Sequence, residues 1–544
     1  MNVVGRRLVA LGVAVCLASA GCGSEDAPPQ TSGAAAQPPM PPASGGASQH
    51  RPPAPATLGS TPFWDAGGAS PGDPRGPRGD DPPPRAGGGA ADSASGSGAT
   101  ETGFQPPLTF SPPGVAGDAA APPRGGASGQ PPRYSPPPRE INEALAASRG
   151  IRALRGKYIT LYTDLPADPE VECLPEVFDQ AYPQWCEYFG IPQQLDPPWR
   201  IHAFVMGQRQ AFRDTGLLPD DLPPFEHGYA RGLELWMDDQ PSAYYRRHLL
   251  LHEGTHAFMH SLLYRQHPPL WYNEGIAEWM ATHRWEQGRL QLRYFPHARD
   301  EVPYWGRIKL LRDAFRNDRA MHLQELLANG PRNDSRNELY AWSWAACAFL
   351  GGHPRYAQRF AQLHTLLDDP LFNQAVFQRY DPDARQLYDE WQVFLAELEY
   401  GYDLGRMAVE FRPGVPLPSE GAEIVVAADR GWQSTGYRVE AGRMYELTAS
   451  GRVRLRAEPQ AWWSQADGVS IQYYQGFPLG MLLAAVRPDD SGYNRSPFLN
   501  PAPLGSHVRD RAAGSGTLYL RINDAPDQLA DNAGILMVRL REVP

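Results

Sequence analysis

Lysine is almost missing from this sequence. Lys157 and Lys309 are its two lysines, so nearly all of the 50 basic residues are arginine, and 61 acidic residues leave a net charge of −11. A protein that binds nucleic acid through its phosphates needs an excess of basic side chains, usually gathered in a stripe or patch. No such stripe is present, which excludes nucleic acid as the main partner. Cysteine is scarce as well, with 5 in 544 residues and no C-x-x-C spacing. That excludes zinc ribbons and thioredoxin chemistry. Beyond the first twenty residues, no run approaches the roughly 18 uninterrupted apolar residues of a membrane-spanning helix. Proline (57) and glycine (54) are in excess, and most of the surplus lies between Cys22 and Pro138. A chain of this length has room for two or three domains.

The first residues carry an export signal. Arg6-Arg7 precede an apolar run over residues 8–20, long enough for a secretory signal and too short for an anchor. Ala18-Ser19-Ala20 fits ordinary cleavage, whereas Ala20-Gly21-Cys22 resembles the end of a bacterial lipobox, with Ser19 where that pattern prefers leucine. The lipobox resemblance implies a lipidated Cys22 and an exported protein attached to the membrane of the bacterial cell envelope through an N-terminal lipid. Residues 23–140 then read as a disordered Pro/Gly/Ala/Ser linker, a mixture of polyproline II and coil. Of the remaining cysteines, Cys173 and Cys186 sit in one helix-like segment, about 20 Å apart if it is continuous, and read as free thiols like Cys347.

From residue 141 the composition becomes that of a globular protein. Alternation predicts strands over residues 158–163, 201–206 and 228–237, with a helix over 172–189 between the first two. A long helix is expected over 243–264, followed by helical patterns to residue 398. Strands followed by helices give an α+β domain over residues 141–405, a mixed sheet plus a helical subdomain. Residues 409–544 change character again. Short alternating runs separated by Gly, Pro and Asn/Asp, with no helical period, predict an all-β sandwich.

His252-Glu253-Gly254-Thr255-His256 is the most informative string in the chain. On a helix, residues four apart share a face, so both imidazoles point at one ion while Glu253 reaches a water bound to it. A catalytic zinc also needs a third protein ligand and an open position. Glu274 supplies the ligand; seventeen residues, including the turn signal His267-Pro268-Pro269, separate it from His256. Together with Asn273-Glu274-Gly275-Ile276-Ala277-Glu278, the string resembles the gluzincin metallopeptidases of the peptidase-MA clan. The resemblance implies a zincin-like fold, zinc held by His252, His256 and Glu274, and Glu278 behind a ligand imidazole. It also implies hydrolysis of a peptide or protein substrate by a zinc-activated water with Glu253 as general base. A substrate strand would pair along residues 228–237, and Tyr340, with His283 second to it, would stabilise the oxyanion. His260 reads as a neighbour rather than a ligand.

The β-rich tail contains Asn523-Asp524-Ala525-Pro526-Asp527-Gln528-Leu529-Ala530-Asp531-Asn532-Ala533-Gly534. Oxygen-bearing residues around a proline turn suit a hard cation such as Ca²⁺, and are also common in plain β-loops. With Gly431-Trp432-Gln433-Ser434-Thr435-Gly436 and Ala449-Ser450-Gly451, the segment looks like the PA-IL type galactose-binding lectin, a jelly-roll sandwich. Carried over by position, Asp524, Asp531 and Asn532 would bind calcium by side chains, and Leu455 and Gln528 by main-chain carbonyls. The sugar-holding His and Gln of that lectin have no counterpart around residues 464–468. Glycans are thus a further expected partner. The alternative to a tethered peptidase is a surface carbohydrate-binding or adhesive protein with a non-proteolytic zincin scaffold.

Overall fold

The computed structural model describes residues 138–195, 197–264, 268–330, 336–489 and 495–544. The expected signal, Cys22 and nearly all of the expected linker lie outside the described residues.

The first sheet is built from β1 (Arg152–Arg155), β2 (Ile159–Thr163), β3 (Ile201–Met206), β4 (Gly228–Arg231) and β5 (Glu234–Asp238) in the order β1-β2-β3-β5-β4. The three central strands are parallel and the two edge strands antiparallel to their neighbours. Central parallel strands are covered on both faces, and their side chains divide accordingly. Ile159, Leu161, Ile201, Ala203, Val205, Leu235 and Met237 enter the main core, while Tyr162, Phe204, Met206 and Trp236 pack with Phe212 and Leu217 on the other side.

The single strand expected over 228–237 is a hairpin. Gly232, at φ 62°, turns the chain so that β4 folds back on β5 with Gly228 opposite Met237. A two-residue turn with glycine first joins twisted antiparallel strands, and it leaves the alternation of the sequence nearly unbroken, which is why the stretch reads as one strand. The edge on this side of the sheet is therefore β4 and not β5.

Helix α1 (Leu174–Phe189) covers the main-core face of the sheet, and α2 (Ala243–Leu262) lies beside it. The Ser242 hydroxyl caps α2 by accepting the Tyr245 N–H at 3.1 Å. At Gly254 the two helices press together: a β-carbon there would stand 2.6 Å from Phe178 and 2.9 Å from Trp185 of α1. Helix α3 (Leu270–Ala281) returns beside α2. Around them pack α4 (Arg307–Arg316), α5 (Arg336–Gly352) and α6 (Ala384–Ala396). Cys173, Cys186 and Cys347 are free thiols. No described helix is long and apolar enough to cross a membrane.

The longer strands of the β-rich half are β6 (Ala422–Ala427), β7 (Gln433–Val439), β8 (Met444–Arg456), β9 (Trp462–Ser464), β10 (Asp467–Tyr474), β11 (Phe477–Arg487), β12 (His507–Arg511), β13 (Gly516–Ile522) and β14 (Ala533–Glu542). They form two open sheets, one ordered β10-β11-β13-β7 and the other β9-β8-β14-β6 with β12 also on β8. Val426, Val453, Leu455, Leu482, Leu518, Leu520, Leu536 and Val538, drawn from both sheets, make one apolar cluster. The larger core of the helical half continues into the β-rich half through Trp432, Leu483, Phe498, Tyr519 and Leu529. Polar groups cross the same boundary. Arg521 makes a buried two-pronged bond to Glu397 at 2.6 and 2.9 Å, and Arg487 donates to Asp389 at 2.7 Å.

Candidate metal centre

Two turns of α2 and one of α3 bring the expected ligands together. His252 and His256 stand one above the other on α2 with Nε2 atoms 3.2 Å apart, and Glu274 Oε2 lies 3.4 Å from each. Two imidazole nitrogens at that separation need a proton or a metal between them. An ion that binds imidazole at about 2.0–2.1 Å with tetrahedral angles sets its donors about 3.3 Å apart, the spacing of all three pairs here. His252, His256 and Glu274 could thus hold a metal ion, and each is buried or nearly so.

The electrostatics suit a cation. Burial opposes charge on His252, but Glu274, Glu278 and Glu253 outweigh it and push the imidazole up to about 10. Burial also opposes charge on Glu274, yet His256 and His252 hold its carboxyl far below the usual range. With Glu278 matched by Arg307, the carboxylates of Glu274 and Glu253 face two imidazoles, so the pocket draws positive charge that a divalent ion would supply. Asn273 fixes the other oxygen of Glu274, its side-chain N–H donating to Oε1 at 3.2 Å, while the Tyr264 hydroxyl donates to Asn273 Oδ1 at 3.1 Å.

Glu253 projects from the same turn and is 6% exposed. Burial pushes its carboxyl above the ordinary carboxylate range, partly offset by His252 and His256. It lies against the sheet edge: a β-carbon on Gly228 of β4 would come within 2.5 Å of Glu253 Oε1.

Glu278, one turn after Glu274, lies behind the ligands. Its Oε1 stands 3.3 Å from His252 Nδ1 and 3.4 Å from His248 Nε2, and Arg307 of α4 grips both oxygens at 3.0 and 3.2 Å. Arg307 opposes the effect of burial, so the Glu278 carboxyl lies well below its ordinary range. His248, His252 and Glu278 form a second group with ligand-like spacing. Its charge is already met by Arg307, however, and His248 Nδ1 is 3.0 Å from the Ala281 carbonyl. The first group is the better cation site. His252 Nδ1 and His256 Nδ1 are both buried without a well-formed hydrogen bond, and the Glu278 carboxylate stands 3.3 Å from the first of them.

The Tyr340 ring meets His252 edge-on at 5.8 Å, with the Arg307 guanidinium 5.5 Å from its centroid. His283 is turned to other work: its Nδ1 is 2.8 Å from the Ala281 carbonyl, Arg247 Nε donates to its Nε2, and its ring stacks on Tyr244. The His260 ring lies edge-on to His256 at 6.3 Å. Arg307, His248, Tyr264 and Gly228 have no signal in the motif that would mark them. Asn273 stands inside it, beside the glutamate it holds.

In the β-rich half, Asp524 and Asn532 are brought together. Asn532 Nδ2 donates to Asp524 Oδ2 at 2.8 Å, and the Ala525 N–H donates to Oδ1 at 2.7 Å. Burial, to which Asp531 adds, pushes the Asp524 carboxyl up to about 6. Asn532 Oδ1 is buried with no hydrogen-bond partner. Asp531 Oδ2 accepts the Ala457 N–H at 2.8 Å, two residues past Leu455, whose side chain enters the sandwich core. Gln528 is exposed and its N–H donates to the Ala525 carbonyl at 3.0 Å. A buried carboxylate pushed up in pKa beside a vacant amide oxygen is a pair of donors that fits a hard cation.

No family model matches the chain, and no curated protein matches it. Among solved structures, the EclA N-terminal domain, a PllA-like lectin, is 26% identical over 23% of this chain and 100% of its own length, with a TM-score of 0.18. AJLec from the sea anemone Anthopleura japonica is 11% identical over 24% of this chain and 98% of that one, at 0.15. The IMPa metallopeptidase from Pseudomonas aeruginosa is 12% identical over 72% of this chain, which spans 42% of its length, at 0.14. None of these likenesses assigns the chain to a family.

Proposed function

We propose that the chain is a zinc-dependent peptidase of the gluzincin type, whose catalytic domain occupies residues 141–405. The observation that carries this reading is the spacing of His252 Nε2, His256 Nε2 and Glu274 Oε2, 3.2 to 3.4 Å apart, with the Glu253 carboxylate on the same helix. When bound, zinc supplies Lewis-acid polarisation of the scissile carbonyl and of the attacking water. His252, His256 and Glu274 hold it. Glu253 takes the proton from the water and returns it to the leaving amine, and its raised pKa brings it closer to the working pH, as a general base requires. An extended substrate pairs by backbone with the free edge of β4, which gives affinity with little demand on sequence. Tyr340 donates to the developing oxyanion.

In the same reading, Cys22 is lipidated, residues 23–140 tether the folded part to the bacterial envelope, and residues 409–544 are a jelly-roll, lectin-like module. Asp524, Asp531 and Asn532, with the carbonyls of Leu455 and Gln528, hold calcium there, and the module binds glycans. The second reading, a surface carbohydrate-binding protein without proteolysis, is favoured by the Asp524–Asn532 pair and its vacant Asn532 Oδ1.

Metal analysis and proteolysis assays separate the two. The peptidase reading expects about one zinc per chain and hydrolysis of an unfolded protein. Glu253→Gln should keep the zinc and lose about 10²–10⁴-fold in kcat. Zinc-loaded wild-type protein that cleaves nothing in a broad peptide library, yet binds glycans in the presence of calcium, would select the second reading.

A further inference from the structure

Arg307 opens α4, following Gly306 at φ 63°, and its side chain is 5% exposed. It meets Glu278 through Nε and Nη2, the planar fork that matches a carboxylate. The same carboxylate faces His252 Nδ1, and the ring it faces carries one of the ligand nitrogens. On its other side Arg307 lies against Tyr340, which meets His252 edge-on. Four side chains from α2, α3, α4 and α5 thus close a circuit: His252 to Glu278, Glu278 to Arg307, Arg307 to Tyr340, and Tyr340 back to His252.

We propose that Arg307 is a positioning residue for the metal centre: it locks Glu278 as the acceptor for His252 Nδ1 and ties that lock to the Tyr340 ring. The inference rests on the metal-site part of the reading above. Glu278 lies on the same helix as the ligand Glu274 and has its own rotational freedom. With both oxygens held by one guanidinium, it presents a fixed oxygen 3.3 Å from His252 Nδ1, on the side of the ring away from the Nε2 that faces His256 and Glu274. A lysine can replace the charge but not the fork. Groups that orient a metal-bound histidine typically contribute about 10–100-fold to metal affinity.

The test is zinc affinity by chelator competition, together with the visible spectrum of the cobalt-substituted protein, on the full chain. Arg307→Met is expected to raise the zinc Kd about 10–100-fold and to shift the cobalt bands. Arg307→Lys should recover part of the affinity while the bands stay shifted, an outcome that a role in packing alone does not give. A folded Arg307→Met with wild-type Kd and cobalt spectrum overturns the proposal. If that variant does not fold, Arg307→Met/Glu278→Gln removes both charges, and a zinc Kd within about twofold of wild type overturns it equally. Wild-type protein that binds no zinc removes the metal site and this inference with it. Zinc-binding protein that hydrolyses no peptide removes only the peptidase reading.

Discussion

Gly228 and Glu253 share one space: the point a β-carbon on Gly228 would occupy is 2.5 Å from Glu253 Oε1 and 3.0 Å from its carboxyl carbon. The contact joins the edge of the first sheet to the helix that carries His252 and His256, two elements that meet only through tertiary folding. Gly228 is not among the residues held at positive φ, so its backbone accepts an alanine. What an alanine changes is therefore the place of the carboxylate. Gly228→Ala is expected to lower kcat on an unfolded protein substrate at least about 10-fold, and by no more than the roughly 10²–10⁴-fold that a general base contributes. Zinc stoichiometry should not change, because His252, His256 and Glu274 lie on α2 and α3. A variant with wild-type kcat would show that the carboxylate works from another position.

The boundary between the helical and β-rich halves makes its own prediction. Arg521 and Glu397 are buried together, their side chains 4% and 10% exposed, and the main apolar core passes through the same boundary. Removing one partner of a buried pair leaves the other charge unmatched, at a cost of about 3–5 kcal/mol. Glu397→Gln is expected to destabilise by that amount in urea unfolding, and Glu397→Gln/Arg521→Met to recover much of it. Because the core is shared, both halves should unfold in one transition. Two separate transitions in wild-type protein would contradict that coupling.

The parts of this molecule that were legible in sequence are those set by local spacing. His252 and His256 lie one turn apart, as do Glu274 and Glu278, and helix geometry alone puts each pair on one face. β3 and α2 were legible for the same reason. The β4–β5 hairpin was not, since a tight turn at Gly232 interrupts an alternating pattern by only two residues. Arg307 was not either: it meets Glu278 across 29 residues of chain with no periodicity linking them. Composition changes sharply near residue 409, and this reads as a clean domain boundary. The structure carries the core across it, because Trp432, Phe498 and Tyr519 look like ordinary strand and loop aromatics until their partners are known.

Calcium should act on the β-rich half through Asp524. On the proposed calcium reading, an ion taken up by the buried Asp524 carboxylate and the vacant Asn532 Oδ1 binds the folded form alone, so added ion is expected to raise Tm. At 100 times its Kd, one bound ion stabilises by about 2.7 kcal/mol. Asp524→Asn should abolish the rise while leaving zinc content intact. Wild-type protein with no calcium-dependent shift removes the site, and an equal shift in both proteins moves the ion elsewhere.

Acid should destabilise the fold through two histidines away from the ligands. Burial, aided by Arg139 and opposed by Glu143, pushes His202 of β3 down to about 4. Burial also pushes His283 down to about 3, with Arg247 and His248 adding to it and the Ala281 carbonyl opposing it. In the unfolded chain each titrates at about 6.5. Above that pH both rings are neutral in both states and contribute no pH dependence. Between about 6.5 and 4 the unfolded chain takes up protons that the fold refuses, so stability falls as the pH falls. His202→Gln and His283→Gln are each expected to flatten the decline of Tm between pH 7 and 4.5 relative to wild type. Since every carboxylate and the ligand histidines are common to all three proteins, the difference in slope reports these rings alone, and parallel curves would mean that His202 and His283 are protonated in the fold.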